Sequence, residues 1–251
     1  MSSAQQVGSF EQIRWQATSR THVGHVRRVN EDSVLCQTAR ELWVVADGMG
    51  GHRAGDHASQ SIVNALSELT LAGDFAARVD QVEDTLLGVN DHLREYARAQ
   101  CGGQTVGSTV AVMVACEEVG VVLWAGDSRL YRRRDGSLEQ ITRDHNPIAD
   151  LFESGAVTEE EVLAADTNVV TRAVGGQGEL HLDIVVFEIK PGDAYLLCTD
   201  GLYREVTSGD MHEGMALDAE SGADLLMRRA LTGPANDNVS LVAISTGQHA
   251  T

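Results

Sequence analysis

Lysine is almost missing from this chain: of 251 residues only Lys190 is one, and the other 18 basic residues are arginines. Against these stand 37 aspartates and glutamates, a formal charge of −18. A chain so acidic repels nucleic acid and anionic membrane, so neither is expected as a partner. Cysteine is sparse as well. Cys36, Cys101, Cys116 and Cys198 form no C-x-x-C pair, and three of them sit in apolar, strand-like runs. They are expected as free thiols in a reducing compartment rather than as a disulfide framework. The first ten residues lack the basic-then-apolar pattern of a signal peptide, and no apolar run approaches the roughly 18 residues of a membrane span. The expected location is the cytoplasm. No internal repeat and no long polar linker divides the chain, and 43% hydrophobic residues suffice for one core, so residues 1–251 are expected to fold as a single domain and to act as a monomer.

What is present is a series of short apolar runs. Ile13–Arg20 and Ser33–Ala39 read as strands, joined by Gly24-His25-Val26-Arg27-Arg28-Val29-Asn30-Glu31-Asp32, a segment unusually charged for a hairpin connection. The strand Leu42–Ala46 follows. Apolar residues at spacings of three and four predict a helix over about 55–69 and another over about 82–98, and their stripes are core faces. Val106–Cys116 and Val119–Ala125 form an expected hairpin, as do Leu130–Arg133 and Leu138–Ile141 around Asp135-Gly136. Between about 142 and 176 the strand signal fades; a short helix over 147–153 and a helix start at Thr158–Glu161 suggest an insertion beside the sheet. Strands return at Leu180–Ile189 and Ala194–Cys198, turning at Pro191-Gly192-Asp193. A helix over about 219–231 and a closing strand, Val239–Ser245, complete the chain. This order predicts an α+β fold, mainly antiparallel sheets covered by helices, rather than a βαβ alternation.

The most informative regularity is that apolar runs end at an aspartate: Val44-Val45-Ala46-Asp47-Gly48, Leu123-Trp124-Ala125-Gly126-Asp127 and Leu197-Cys198-Thr199-Asp200-Gly201. A fourth acid, Asp237, immediately precedes the run from Val239. An unpaired carboxylate at a buried strand end is costly or becomes protonated, so four in one sheet system require a common counter-charge. Any single Asp-Gly or Asp-Ser is an ordinary turn opener, a reading that weakens with each repetition. Oxygen-only donors without a His or Cys cluster suit a hard divalent cation, Mg²⁺ or Mn²⁺.

Seven segments in order carry a resemblance: Gly24–Asp32, Val45–Gly51, Gly107-Ser108-Thr109, Ala125–Arg129, Thr171–Gly175, Thr199-Asp200-Gly201-Leu202 and Asp237-Asn238-Val239-Ser240. The chain resembles the bacterial branch of the PP2C (PPM) family of metal-dependent serine/threonine phosphatases. The resemblance implies a four-layer α-β-β-α sandwich of two packed, mainly antiparallel sheets with helices outside. It also implies two to three Mn²⁺ or Mg²⁺ ions per chain. Asp47 would bridge two of them, with Asp200 and Asp237 completing one site and Glu31 and the Gly48 carbonyl the other. Asp127 with Asp200 would form a third, weaker site. Arg27 would clamp the substrate phosphate and Asp32 would hold the attacking water. Residues about 142–176 would contain a flap that biases substrate choice. The implied reaction is hydrolysis of phosphoserine and phosphothreonine on cytoplasmic proteins by metal-activated water, reversing a eukaryotic-like Ser/Thr kinase.

One position departs from the pattern. Met49 stands where animal-type members carry a histidine proposed as general acid, and a thioether cannot donate a proton. His52 lies close by but reads as a solvated turn residue, so protonation of the leaving group by metal-bound water is the expectation. His145, at the start of the flap region, reads first as a structural residue. Two other classes share the composition: a non-catalytic phosphoprotein-binding module, which would be expected to have lost part of the set Glu31, Asp47, Asp127, Asp200, Asp237 and Arg27, and an acidic structural protein that binds cations without turnover.

Overall fold

The computed structural model describes residues 13–50, 54–148, 151, 155–156, 158, 169–176 and 179–248. Eleven strands are named in chain order: β1 (Ile13–His22), β2 (Asp32–Gln37), β3 (Leu42–Met49), β4 (Gly107–Ser108), β5 (Val110–Cys116), β6 (Val119–Ala125), β7 (Arg129–Arg134), β8 (Ser137–Gln140), β9 (Asp183–Glu188), β10 (Ala194–Cys198) and β11 (Val239–Gln248). The helices are α1 (Ala54–Glu68), α2 (Phe75–Gln100), α3 (Asp200–Tyr203), α4 (Ser208–Gly214) and α5 (Ala219–Ala230). The strands form two antiparallel sheets, ordered β1-β11-β10-β7-β8 and β2-β3-β5-β6-β9, with β4 added beside β3.

Side-chain alternation explains the layering. On β3, Leu42, Val44 and Ala46 join a core with Ile62 and Leu66 of α1 and Leu86 and Leu93 of α2. The intervening Trp43 and Val45 point the other way, into a second core with Leu130, Tyr195, Leu197 and Val242 of the opposite sheet. On β10, Leu196 and Cys198 face Met211 of α4 and Leu226 of α5. Each central strand is therefore apolar on both faces, because both are covered. The result is the expected α-β-β-α sandwich.

Several boundaries differ from the sequence reading. β1 and β2 are not a hairpin: β1 pairs with β11 and β2 with β3, so the charged segment between them crosses from one sheet to the other. β9 and β10 are likewise in different sheets. Helix α2 starts at Phe75, a turn and more before the apolar stripe at Val82, because the Asp74 carboxylate caps the Ala77 N–H. The run 106–116 breaks at Thr109, and the strand expected through Ala39 ends at Gln37 in a 3₁₀ turn, Thr38–Arg40. Leu180 is buried, yet the ladder begins only at Asp183. Helices α3 and α4 were not anticipated, being too short for periodicity to reveal. Pro147, Ile148 and Leu151 are helical; the rest of the helix expected over 147–153 and the start expected at Glu159–Glu161 lie outside the described residues. All four cysteines are free thiols, although only Cys198 is buried.

Trp43 is fully buried between the sheets, with its ring 5.0 Å from that of Trp15. Trp43→Ala should lower the unfolding free energy by about 3–5 kcal/mol, measured by urea denaturation. Leu217→Ala, at a 44% exposed position, should change it by about 0.5 kcal/mol or less.

Candidate functional site

The alternation that builds the inter-sheet core also aims the acids. Trp43 and Val45 face the opposite sheet, so Asp47, next on that face, carries its carboxylate into the open end of the sandwich. Asp32 on β2 is its direct cross-strand partner. Two acids directly opposite on one face repel, an arrangement only a shared positive charge favours. Thr199, after inward-facing Leu197, donates from Oγ1 to Asp32 Oδ2 at 2.8 Å and so ties the two sheets together at this end. Thr109, at the break between β4 and β5, accepts the Asp47 N–H on Oγ1 and donates its own N–H to the Asp47 carbonyl.

The segment between β1 and β2 is held over the same end by Asn238. Its Oδ1 accepts the Glu31 N–H, and its Nδ2 donates to the carbonyls of Val23 and Val29. Gly48 packs directly on the Gly55 carbonyl, where any Cβ would clash. A Cβ on Gly55 would in turn lie 2.6 Å from Glu31 Oε1 and 2.8 Å from the Gly48 carbonyl oxygen, so these two oxygens flank one point. A single cleft of 720 Å³ is lined by Arg27, Glu31, Asp47, Gly48, Asp127, Asp200 and Asp237, among others. Asp32 lies beneath it, 7% exposed.

The electrostatics follow from this crowding. Burial, and then the charges of Asp32, Asp200, Asp127 and Asp237, push the Asp47 carboxyl well above the usual range. Asp32 is pushed up to about 7 by burial, with Asp200 and Asp237 adding to the shift and hydrogen bonds from Ser240 and Thr199 opposing it. Asp127 is raised to about 6 by burial, Asp200 and Asp144, against Arg204. Burial raises Glu31 too, with Arg27 opposing. Two arginines partly compensate: Arg27 bonds Asp237 at 2.8 Å and Arg204 approaches Asp200 at 3.2 Å. The guanidinium of Arg27 therefore sits on a carboxylate the sequence reading assigned to metal, at the cleft where a phosphate would bind.

Among the described residues no three acid, histidine or cysteine side chains already close into a cation cage. The donor chemistry nevertheless fits divalent cations. Every candidate donor is an oxygen, Glu31 Oε1 and the Gly48 carbonyl converge, and Asp32 Oδ1 and Asp200 Oδ1 are buried with no hydrogen-bond partner. The Asp127–Asp200 position expected for a third ion is the exception, because Arg204 already places a positive charge there.

A family model described as protein phosphatase 2C matches residues 20–229. The chain belongs to the protein phosphatase 2C family. It is thus a protein phosphatase of a metal-dependent family. The solved structure of PppA, described as a key regulatory component of the T6SS in Pseudomonas aeruginosa, is 37% identical, with a TM-score of 0.85 over 92% of this chain and 97% of that one. The catalytic domain of the serine/threonine phosphatase PstP, solved with two manganese ions, is 31% identical with a TM-score of 0.82, covering 94% of this chain and all of that one. Among curated relatives, the serine/threonine phosphatase stp of Listeria innocua is 29% identical over 238 residues, 91% of this chain and 94% of its own.

All eight expected site residues thus lie in or directly beneath one cleft. Met49 lines it as well, and His52 lies outside the described residues. His145 is structural as expected: it is buried, its Nδ1 accepts the Gly126 N–H beside Asp127, and its Nε2 is 3.1 Å from Asp183. Four contributors carry no individual role in the sequence reading: Thr109, Thr199, Asn238 and Gly55. Thr199 and Asn238 adjoin a cleft acid, which does not say what a hydroxyl or amide reaches across the fold, and Thr109 and Gly55 adjoin none.

The raised carboxyls fix the sign of a pH effect. Below the ordinary carboxylate range, near pH 4, both folded and unfolded states are protonated; from there up to about 7 the folded state holds more protons, so stability falls as pH rises. Asp183 and Asp193, which their hydrogen-bond and charge partners hold below that range despite burial, act only at lower pH. The Tm of the metal-free protein should therefore drop by several degrees between about pH 5 and about pH 8. Millimolar Mn²⁺ should restore it at the upper end, because the cation binds the folded acids. Differential scanning calorimetry decides, and a flat or rising profile without metal would contradict the reading.

Proposed function

We propose that the chain hydrolyses phosphoserine and phosphothreonine on proteins with the help of Mn²⁺ or Mg²⁺, two ions being the number best matched to its donors. The observation that supports this most is the convergence of carboxylates from both sheets on one cleft, with Asp32 Oδ1 and Asp200 Oδ1 left unpartnered beneath it. In this reading Asp47, Asp200 and Asp237 hold one ion, and Asp47, Glu31 and the Gly48 carbonyl the other. When bound, such ions lower the pKa of water and neutralise phosphoryl charge.

The protein's own groups do the rest. Arg27, bonded here to Asp237, would be free to turn its planar fork to the phosphate were Asp237 to hold a cation, and a bidentate guanidinium is suited to that anion. Asp32, oriented by Thr199, accepts a hydrogen bond from the attacking water through its free oxygen and so fixes its direction. Water oxygen bonds to phosphorus and releases one proton to solvent as the bond to the seryl or threonyl oxygen breaks, and the departing oxygen takes a proton. Met49, in the cleft wall, supplies none, so that proton comes from solvent within the cleft. We further infer a cytoplasmic role opposite a Ser/Thr kinase, acting as a monomer; the four free thiols suit a reducing compartment.

Hydrolysis of p-nitrophenyl phosphate with and without Mn²⁺ tests this. The wild type should show metal-stimulated turnover, and Asp47→Ala should lose about 100-fold or more. Thr199→Ala, which leaves every proposed ligand in place, should lose about 10- to 100-fold through misorientation of Asp32. Metal binding without turnover would instead indicate a phosphoprotein-binding module or a structural cation binder.

A further inference from the structure

The phosphate cleft does not end at the carboxylates. A groove of 370 Å³ leads away from it and shares Met49 and Val170 with its wall. A second depression, of 180 Å³, shares Thr105 and Gly176 with that groove and is lined by Arg94 and Arg98. The three hollows adjoin one another in sequence, from the acids to the C-terminal part of α2.

The middle of this path is mixed in character. Met49, Val170 and Leu180 give it an apolar side, Glu179 and His181 a polar one, and Arg172 in its wall is bonded to Asp183 at 2.7 Å, which offsets its charge. Val169, next to Val170, is 61% exposed, an apolar side chain left in water beside the cleft. The far end has the opposite character. Arg94 and Arg98 are four residues apart on α2 and so share a face, two positive charges on a chain of net charge −18. An extended polypeptide advances about 3.3 Å per residue and presents alternate side chains to such a surface. An acidic cleft, a groove with an apolar side at Met49 and Val170, and a basic end thus define an ordered chemical pattern.

We propose that this path is a substrate track. The phosphorylated residue occupies the cleft, an aliphatic side chain of the same polypeptide fills the groove at Met49 and Val170, and an acidic side chain beyond it meets Arg94 and Arg98. The proposal rests on the phosphatase reading above and narrows its substrates to phosphoproteins carrying an aliphatic and then an acidic residue on one side of the phosphosite.

Steady-state kinetics with short phosphothreonine peptides test it. One pair of peptides carries Leu and then Asp-Glu, placed before or after the phosphothreonine; a control pair carries Leu and then Gln-Gln; p-nitrophenyl phosphate reports the cleft alone. The wild type should show a lower KM for the acidic peptide in one of the two orientations. The double variant Arg94→Glu/Arg98→Glu should raise that KM about three- to tenfold with kcat unchanged, and Arg94→Ala/Arg98→Ala by a smaller factor. Neither should alter kinetics on the control peptides or on p-nitrophenyl phosphate. Thr171→Trp, at an exposed position lining the groove, should raise KM for the acidic and control peptides in that orientation while sparing p-nitrophenyl phosphate. Equal KM for acidic and control peptides in a wild type that turns over p-nitrophenyl phosphate would overturn the track alone. Absence of Mn²⁺-stimulated turnover of p-nitrophenyl phosphate would overturn both the track and the reading beneath it.

Discussion

Mutual repulsion among carboxylates is the constraint around which this protein is built. Asp32 and Asp47 face each other across adjacent strands of one sheet, while Asp200 and Asp237 reach the same space from the ends of β10 and β11 in the other. Left to themselves such groups separate or protonate, and burial together with that repulsion raises the proton affinities of Asp32, Asp47 and Asp200. They stay together because each is fixed by backbone whose position is set elsewhere. Asp47 can leave the cleft only if Trp43 and Val45 leave the inter-sheet core, since a one-residue slip of β3 would turn all three outward. The apolar core thus stabilises an acidic arrangement that is unfavourable on its own. This is the usual relation between a scaffold and a strained functional site.

The two sheets must also be held in register with each other, and packing alone does not do that. Thr199 to Asp32 and Asn238 to Glu31 are polar ties that cross from one sheet to the other, and Asn238 also holds Val23 and Val29 of the segment that makes the crossing. They are directional, whereas hydrophobic contact is not. They also sit beside the acids rather than at the far end of the sandwich. On the proposed reading, cation binding and inter-sheet alignment would for this reason be coupled: the groups that orient the candidate ligands are the groups that set how the sheets meet.

Much of this could be read from the chain before its structure. The central strands β3 and β10 announced themselves by apolar runs stopping at Asp47 and just before Asp200, and the long helix stripes marked the outer layers. Hidden from such a reading was anything whose cause lies across the fold. The charged stretch around Arg27 looked like an awkward hairpin because sequence shows neighbours along the chain, whereas β1 and β2 find their partners in β11 and β3. Helices α3 and α4 are too short to show a period, and α3 exists to turn the chain immediately after Asp200. Gly55 looked like any small residue of a helix; its role depends on Glu31 and Gly48 lying against it. The place of Arg204 beside Asp200 follows only from the turn of α3 that brings position i+4 back over i.

The distribution of arginine reconciles an acidic protein with an anionic substrate. Net charge governs the far field, and at −18 it repels phosphoproteins; within about a Debye length the local arrangement takes over. Arg27 at the cleft is bonded to a carboxylate that a divalent cation would claim, so cation and guanidinium are not simply additive. Were a cation to bind Asp237, as proposed, the fork would be released toward the phosphate, and the cleft would gain two sources of positive charge from one event. Arg27 would have little reason to prefer phosphate over Asp237 in the absence of metal. Substrate affinity, and not only turnover, should on this view depend on the cation. Arg204 behaves differently, since its partner Asp200 is more deeply set and its charge also opposes the upward shift of Asp127. One arginine is thus placed to be exchanged and the other to remain, which is how a fixed number of charges can serve both the free and the loaded cleft.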